Sequence, residues 1–205
     1  IARLQNPVAA KTVTWALVDA NSASLGFWEL DSARRELTTF PRPSRRQIAA
    51  EQLLATSGKS PSEIVAWFAG QPPQSPQGAM ALASAYRSLG RQAETAELIK
   101  TWWRTKSFEA EPQRQMLTRF ADVLTVDDHV RRADILLYGS QGPAARDMIN
   151  LIPADQQAAA LVRIALRGNG GDDAYAALTP AEQASAGVAF ERAASLRRRG
   201  RESEA

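Results

Sequence analysis

The sequence predicts an all-α fold, an irregular α-superhelix or solenoid of short antiparallel helix hairpins. Three observations carry that reading. Apolar residues recur at helical spacing in short Ala-rich stretches, while Val/Ile/Thr runs with strand-like alternation are few. Most prolines stand between those stretches rather than inside them. Capping signals of the Ser/Thr-x-x-Asp/Glu type open several of them.

In order, Asn6-Pro7 supplies an N-cap and an N1 proline for a first helix to about Asp19, with Val8, Val13, Ala16 and Leu17 as its inner face. A second runs from near Ser24 to Phe40 and is stopped by Pro41-Arg42-Pro43. A third follows from Pro43 or Ser44, with Ile48, Ala49, Leu53 and Leu54 apolar, and ends at Gly58. Ser60-Pro61-Ser62-Glu63 is a capping box for a short helix presenting Ile64, Trp67 and Phe68, which Gln71-Pro72-Pro73 breaks. Ser75-Pro76 starts Gly78–Leu89, Gly90 is its C′ glycine, and Arg91–Lys106 is its partner. Glu111–Val123 precedes the corner at Thr125. There the Thr hydroxyl caps a new helix, Asp128 reaches back to the Thr125 N–H, and Val130, Ala133, Ile135, Leu136 and Leu137 form an apolar side. Asp127 and Asp128 in its first turn, and Arg131 and Arg132 further along, suit the helix dipole.

Gln141-Gly142-Pro143 restarts the chain, and a helix from Pro153 through Arg167 buries Leu161, Ile164, Ala165 and Leu166. Gly168–Gly171 is a break, a short helical piece spans Asp173–Leu178, and the Thr179/Glu182 capping box opens a helix to about Arg199. Arg201–Ala205 reads as the first residues of a further helix, so residues 1–205 form one α-superhelical domain, or a fragment of one, that stops within a hairpin near 201–205. Some eleven helices on linkers of two to six residues fit a solenoid better than a four-helix bundle. The segment GAMALASAYRSLGRQAETAELIKTWW resembles a tetratricopeptide-type pair, so the array is tetratricopeptide-like in part.

Composition bounds function more by exclusion. The 205 residues include no Cys, which rules out disulfides and thiolate metal sites. With 25 Lys/Arg against 22 Asp/Glu the net charge is +3, basic but mixed in sign. No apolar run reaches the ~18 residues needed to span a bilayer, and the first residues lack a signal-peptide core, so the chain reads as soluble. A start at Ile1 rather than Met is expected of a processed or trimmed chain and is compatible with a removed secretory signal.

The candidate chemical motifs have plainer readings. Asp127, Asp128 and His129 are consecutive and point in different directions on a helix, so they cap rather than converge on a metal. His129 is the single histidine, and no nucleophile is placed beside it. Arg197–Arg201 suits a helix C-terminus, and Gly168–Asp173 lacks the residues of a phosphate or calcium loop. The tryptophans, Trp15, Trp28, Trp67, Trp102 and Trp103, read as packing between helices, with about one of them exposed. No catalytic, cofactor-binding or metal-binding residue is assigned, and no cofactor is expected.

The order of AWFAGQPP, LASAYRSLGRQAE, TWWRTKSFEAE, LTVDDHVRRADILLYG, PAARDMINLIP and ALVRIALRGN resembles the helical superhelix of soluble lytic murein transglycosylases, most distinctively at Asp128-His129…Arg132…Asp134…Leu136-Leu137. That resemblance implies a periplasmic, Gram-negative, ring- or U-shaped domain joined to a C-terminal lysozyme-like domain. In the family, a Glu within a Glu-Ser motif of that domain cleaves the β-1,4 bond after N-acetylmuramic acid to a 1,6-anhydro product. The implied partners are peptidoglycan glycan strands or stem peptides and the catalytic domain of the same parent protein, with no nucleic acid and no membrane span. Glu202-Ser203 is the one Glu-Ser pair, but it stands in an Arg-rich tail without the Gly-Leu-Met-Gln or Ala-Tyr-Asn stretches of the catalytic domain, so this chain alone is expected to be inactive. Two other readings are a free-standing tetratricopeptide-like adaptor that binds a protein or peptide, and a basic nucleic-acid binder resting on the Arg197–Arg201 run.

Overall fold

A computed structural model describes residues 6–168 and 170–205, and among these every regular element is helical. The chain divides into two compact units, Ile1–Ile99 and Lys100–Ala205.

In the first unit, α1 (Pro7–Asn21) is capped by Asn6, whose Oδ1 accepts from the N–H groups of Val8 and Ala9. Its inner face is not the expected one. Val8, Val13 and Leu17 are exposed, and Ala16 lies outside with them. Trp15, Val18 and Asp19 turn inward at i, i+3, i+4, because Trp15 packs on Phe40 and Asp19 pairs with a buried arginine. Helix α2 (Phe27–Glu36) starts at Gly26 and stops before the prolines, since residues 37–40 form a turn. Helix α3 (Pro43–Leu53) continues into a single 3-10 turn at Leu54–Thr56.

The Ser60/Glu63 capping box opens α4 (Pro61–Phe68), and Ser75 caps α5 (Pro76–Ser88), as their sequences require. Gly90 follows α5 at φ 74°, the left-handed conformation that a C′ glycine adopts without penalty. Helix α6 (Gln92–Thr105) pairs with α5, and Thr95 Oγ1 donates to Ala83 O. Two apolar clusters hold this unit: Val18, Leu30, Ala33, Leu37 and Ala50, and beside them Phe27, Leu54, Ile64, Phe68, Leu82 and Ala85. Each of the large side chains contributes about 1.5–3 kcal/mol by leaving water.

The second unit contains the end of α6, then α7 (Ala110–Phe120), α8 (Val126–Tyr138), the short α9 (Pro143–Asp147) and α10 (Ala154–Arg167). Its C-terminal part holds α11 (Asp172–Ala176), α12 (Pro180–Gln183) and α13 (Ala186–Arg198). Trp103, Met116, Phe120, Leu136, Leu137 and Met148 are buried here, and Val162, Leu166, Leu178 and Val188 form a further cluster.

Three expectations fail in this unit. Leu161 is exposed, because α10 turns Val162, Arg163 and Leu166 inward, and a neighbouring residue on a helix lies about 100° away from that stripe. The helix expected from Thr179 to Arg199 is two, since Ser185 takes an extended conformation (φ −62°, ψ 140°) between α12 and α13. The expected break at Gly168–Gly171 includes Asn169, which lies outside the described residues. Residues 202–204 form one exposed 3-10 turn rather than the start of an α-helix.

Candidate functional site

The corner at Thr125 shows what its acidic residues do. Thr125 Oγ1 accepts from the Asp128 N–H at 3.4 Å, while Asp128 Oδ2 accepts from the Thr125 N–H at 2.7 Å and from its hydroxyl at 2.8 Å. Asp128 is fully buried, and its other oxygen meets Arg104 of α6, with Lys100 Nζ at 3.9 Å from Oδ2. Burial pushes the carboxyl up, but the Thr125 hydrogen bonds and Arg104 outweigh it and hold the group below the usual carboxylate range. Asp128 is therefore ionised at neutral pH and cannot be the proton donor that acid catalysis needs.

Asp127 faces outward and accepts from Arg131 Nε at 2.9 Å. The His129 ring stands edge-on to Trp103 at 5.6 Å, and burial lowers its pKa below the ordinary imidazole value. The three residues do not converge, and among the described residues no group of three or more His, Asp or Glu is placed to hold a metal ion.

Arg132, four residues after Asp128, is also fully buried. Its Nε donates to Gln113 Oε1 at 2.6 Å and its Nη1 to the carbonyls of Trp103 (3.2 Å) and Lys106 (2.9 Å). The guanidinium carbon lies 3.9 Å from the centre of the Phe108 ring and 4.7 Å from that of Trp103. Burial pulls its pKa down to about 9, so the charge persists at neutral pH. It sits where the carbonyl end of α6 carries partial negative charge.

The same device recurs. Arg46 of α3 donates to the carbonyls of Leu37, Phe40 and Pro41 after α2, and to Asp19 at 3.1 Å. Arg167 of α10 meets the Gly139 carbonyl after α8 and the buried Glu191, and Arg198 of α13 donates to Leu166 O of α10 at 3.0 Å. Glu51 does the converse at a helix start: it accepts from the Ser75 N–H (2.7 Å), the Ser75 hydroxyl (2.6 Å) and the Gln74 N–H (3.0 Å) ahead of α5. A Cβ at Gly78 would collide with that carboxylate, which is why α5 carries glycine there.

These braces were not anticipated from the sequence, although a signal exists. Arg46 and Arg132 each stand four residues before a buried apolar residue of their own helix, namely Ala50 and Leu136.

The remaining sequence candidates are absorbed by structure. Asp172 gathers Arg192, Arg199 and Arg201, while Arg201 also pairs with Glu204 at 2.5 Å. Hydrogen bonds from Arg199 and Arg192 hold the Asp172 carboxyl far below its ordinary value. Trp103 and Trp102 are buried, Trp15 and Trp67 half-buried, and Trp28 is 59% exposed with Lys59 Nζ 4.5 Å over its ring.

Among the described residues, two of the cavities each lie within one unit. The smaller, about 280 Å3, lies beside Trp67, Gln47, Gln71 and Arg34, with the Arg34 guanidinium already stacked over the indole at 4.4 Å. The larger, about 530 Å3, lies among α8, α10 and α13. No family model, curated protein or solved structure matches the chain. Among the described residues no helix is long and apolar enough to cross a membrane.

Proposed function

We propose that this chain is a non-catalytic α-superhelical scaffold of the soluble lytic transglycosylase type, which contacts peptidoglycan glycan strands or stem peptides in the periplasm and holds a C-terminal catalytic domain of the same parent protein. The observation that carries the scaffold reading is the commitment of buried charge to helix ends. Arg46, Arg132, Arg167 and Arg198 bind carbonyls that close a preceding helix, and Glu51 binds the N–H groups that open α5. An enzyme site needs polar groups left available to a substrate, whereas these hold successive helices at fixed angles. The distinctive Asp128-His129…Arg132 pattern falls within this bracing, which supports its use as a mark of the superhelix rather than a centre of chemistry.

Helix lengths from 4 to 15 residues, interrupted by 3-10 turns, weigh against an evenly repeating tetratricopeptide array. The mixed charge weighs against a dedicated nucleic-acid binder. Sedimentation with insoluble peptidoglycan tests the reading. The chain is expected to pellet with the polymer in a salt-sensitive way and to release no anhydro-muropeptide. Release that depends on a residue of this chain would overturn it.

A further inference from the structure

We infer that His129 makes the α6–α8 contact of the second unit acid-sensitive: neutral, it closes that contact against Trp103, and protonated, it loosens the end of α6. His129 is the one histidine of the chain. Its ring stands edge-on to Trp103, with the ring centres 5.6 Å apart and the planes at 72°. Its Nδ1 is buried and has no hydrogen-bond partner among the described residues. A neutral imidazole can leave that nitrogen bare and carry its proton on Nε2. An imidazolium cannot, because both nitrogens then carry protons and a buried N–H without an acceptor is costly.

The surrounding charges offer no relief. Asp128, the adjoining residue, favours the charged ring, but its Oδ2 is taken by the Thr125 N–H and hydroxyl and its Oδ1 by Arg104. From α6, Lys100 and Arg104 both approach that same carboxylate, and Asp127 pairs with Arg131. Arg132, one turn on along α8, already places its guanidinium carbon 4.7 Å from the Trp103 ring centre. Trp103 thus carries one cation, and acid would create a second against it, where burial strengthens their repulsion. The charges that other elements bring to α8 are engaged elsewhere. Arg163 of α10 meets Asp134, Glu191 of α13 meets Arg167 and Gln141, and Asp147 of α9 meets Arg114.

Trp103 links the ring to the end of α6. Its side chain is buried, its carbonyl accepts from Arg132 Nη1 at 3.2 Å, and Lys106 N–H closes the helix on Trp102 O at 3.0 Å. The low imidazole pKa that burial imposes has the matching sign: stability is complete above the unfolded value of about 6.5 and is lost as pH falls through the folded one. Asp128 titrates lower, so the two losses fall in separate pH ranges.

A single histidine gives an unambiguous proton NMR titration. In the folded 205-residue chain its midpoint is expected below that of the same residue in the urea-unfolded chain. Amide exchange at pH 7 and pH 5, expressed as protection factors to remove the intrinsic effect of pH, reads the consequence. Protection of the Lys106 amide is expected to fall about threefold or more at pH 5, and that of Val162, inside α10, to fall less. His129→Phe keeps an aromatic edge and removes the titrating nitrogens, so it is expected to abolish the Lys106 difference. The inference fails if the folded midpoint is at or above the unfolded one, if Lys106 protection is the same at both pH values, or if the His129→Phe chain loses it equally. The titration and exchange of the unaltered chain stand even if His129→Phe does not fold.

Discussion

Asp128 uses both carboxylate oxygens on structure: one closes the Thr125 cap and the other meets Arg104. Its folded pKa is depressed, so its contribution to stability is complete above the unfolded value of about 3.9 and is lost as pH falls through the folded value. Asp128→Asn is expected to lower stability at pH 7 and to flatten the acid limb of stability against pH, read from urea midpoints between pH 7 and pH 2. An unchanged acid limb would remove Asp128 from that account. Ala69 makes the opposite case. It ends α4 at φ 48°, a left-handed conformation that costs a Cβ-bearing residue about 1–2 kcal/mol. It is exposed, so Ala69→Gly is expected to stabilise the chain by about 0.5–1 kcal/mol in urea denaturation, net of the entropy of the added glycine. The cap at Thr125 was legible because Thr-x-x-Asp acts within one turn. Ala69 was not, because nothing local in AWFAGQPP marks which residue takes the positive φ.

At the scale of the element, adjacent arginines on α8 have different fates. Arg131 is exposed and pairs with Asp127 one turn back, whereas Arg132 is buried and holds the carbonyl end of α6 and the Gln113 amide. Arg132→Ala is expected to cost about 3–5 kcal/mol, since it strands buried carbonyls and opens a cavity, while Arg131→Ala is expected to stay within about 0.5 kcal/mol. Urea unfolding of the two variants side by side checks the contrast, and equal losses would contradict the bracing role. From sequence both residues read as dipole partners. Only the tertiary partners, 19 to 29 residues away along the chain, separate them. The same limit explains the first helix, where Trp15, Val18 and Asp19 turn inward because Phe40 and Arg46 receive them, and not Val13 and Leu17.

At the scale of the whole molecule, the helical class followed from spacing, prolines and caps, all of which act locally. The elements split where a single backbone conformation intervenes, as at Ser185 between α12 and α13. The larger cavity was less legible still. Arg163 and Gly187 are 24 positions apart in sequence and meet only because α10 and α13 pack together. The central claim, that this chain contacts peptidoglycan as a scaffold without cleaving it, is most directly tested by incubating it with purified insoluble peptidoglycan. Pelleted protein and soluble anhydro-muropeptides are then measured across a salt series. The account predicts a protein fraction in the pellet that falls as salt rises and no anhydro-muropeptide at any salt. Protein that stays in the supernatant at every salt concentration, or anhydro product whose release depends on a residue of this chain, would contradict it.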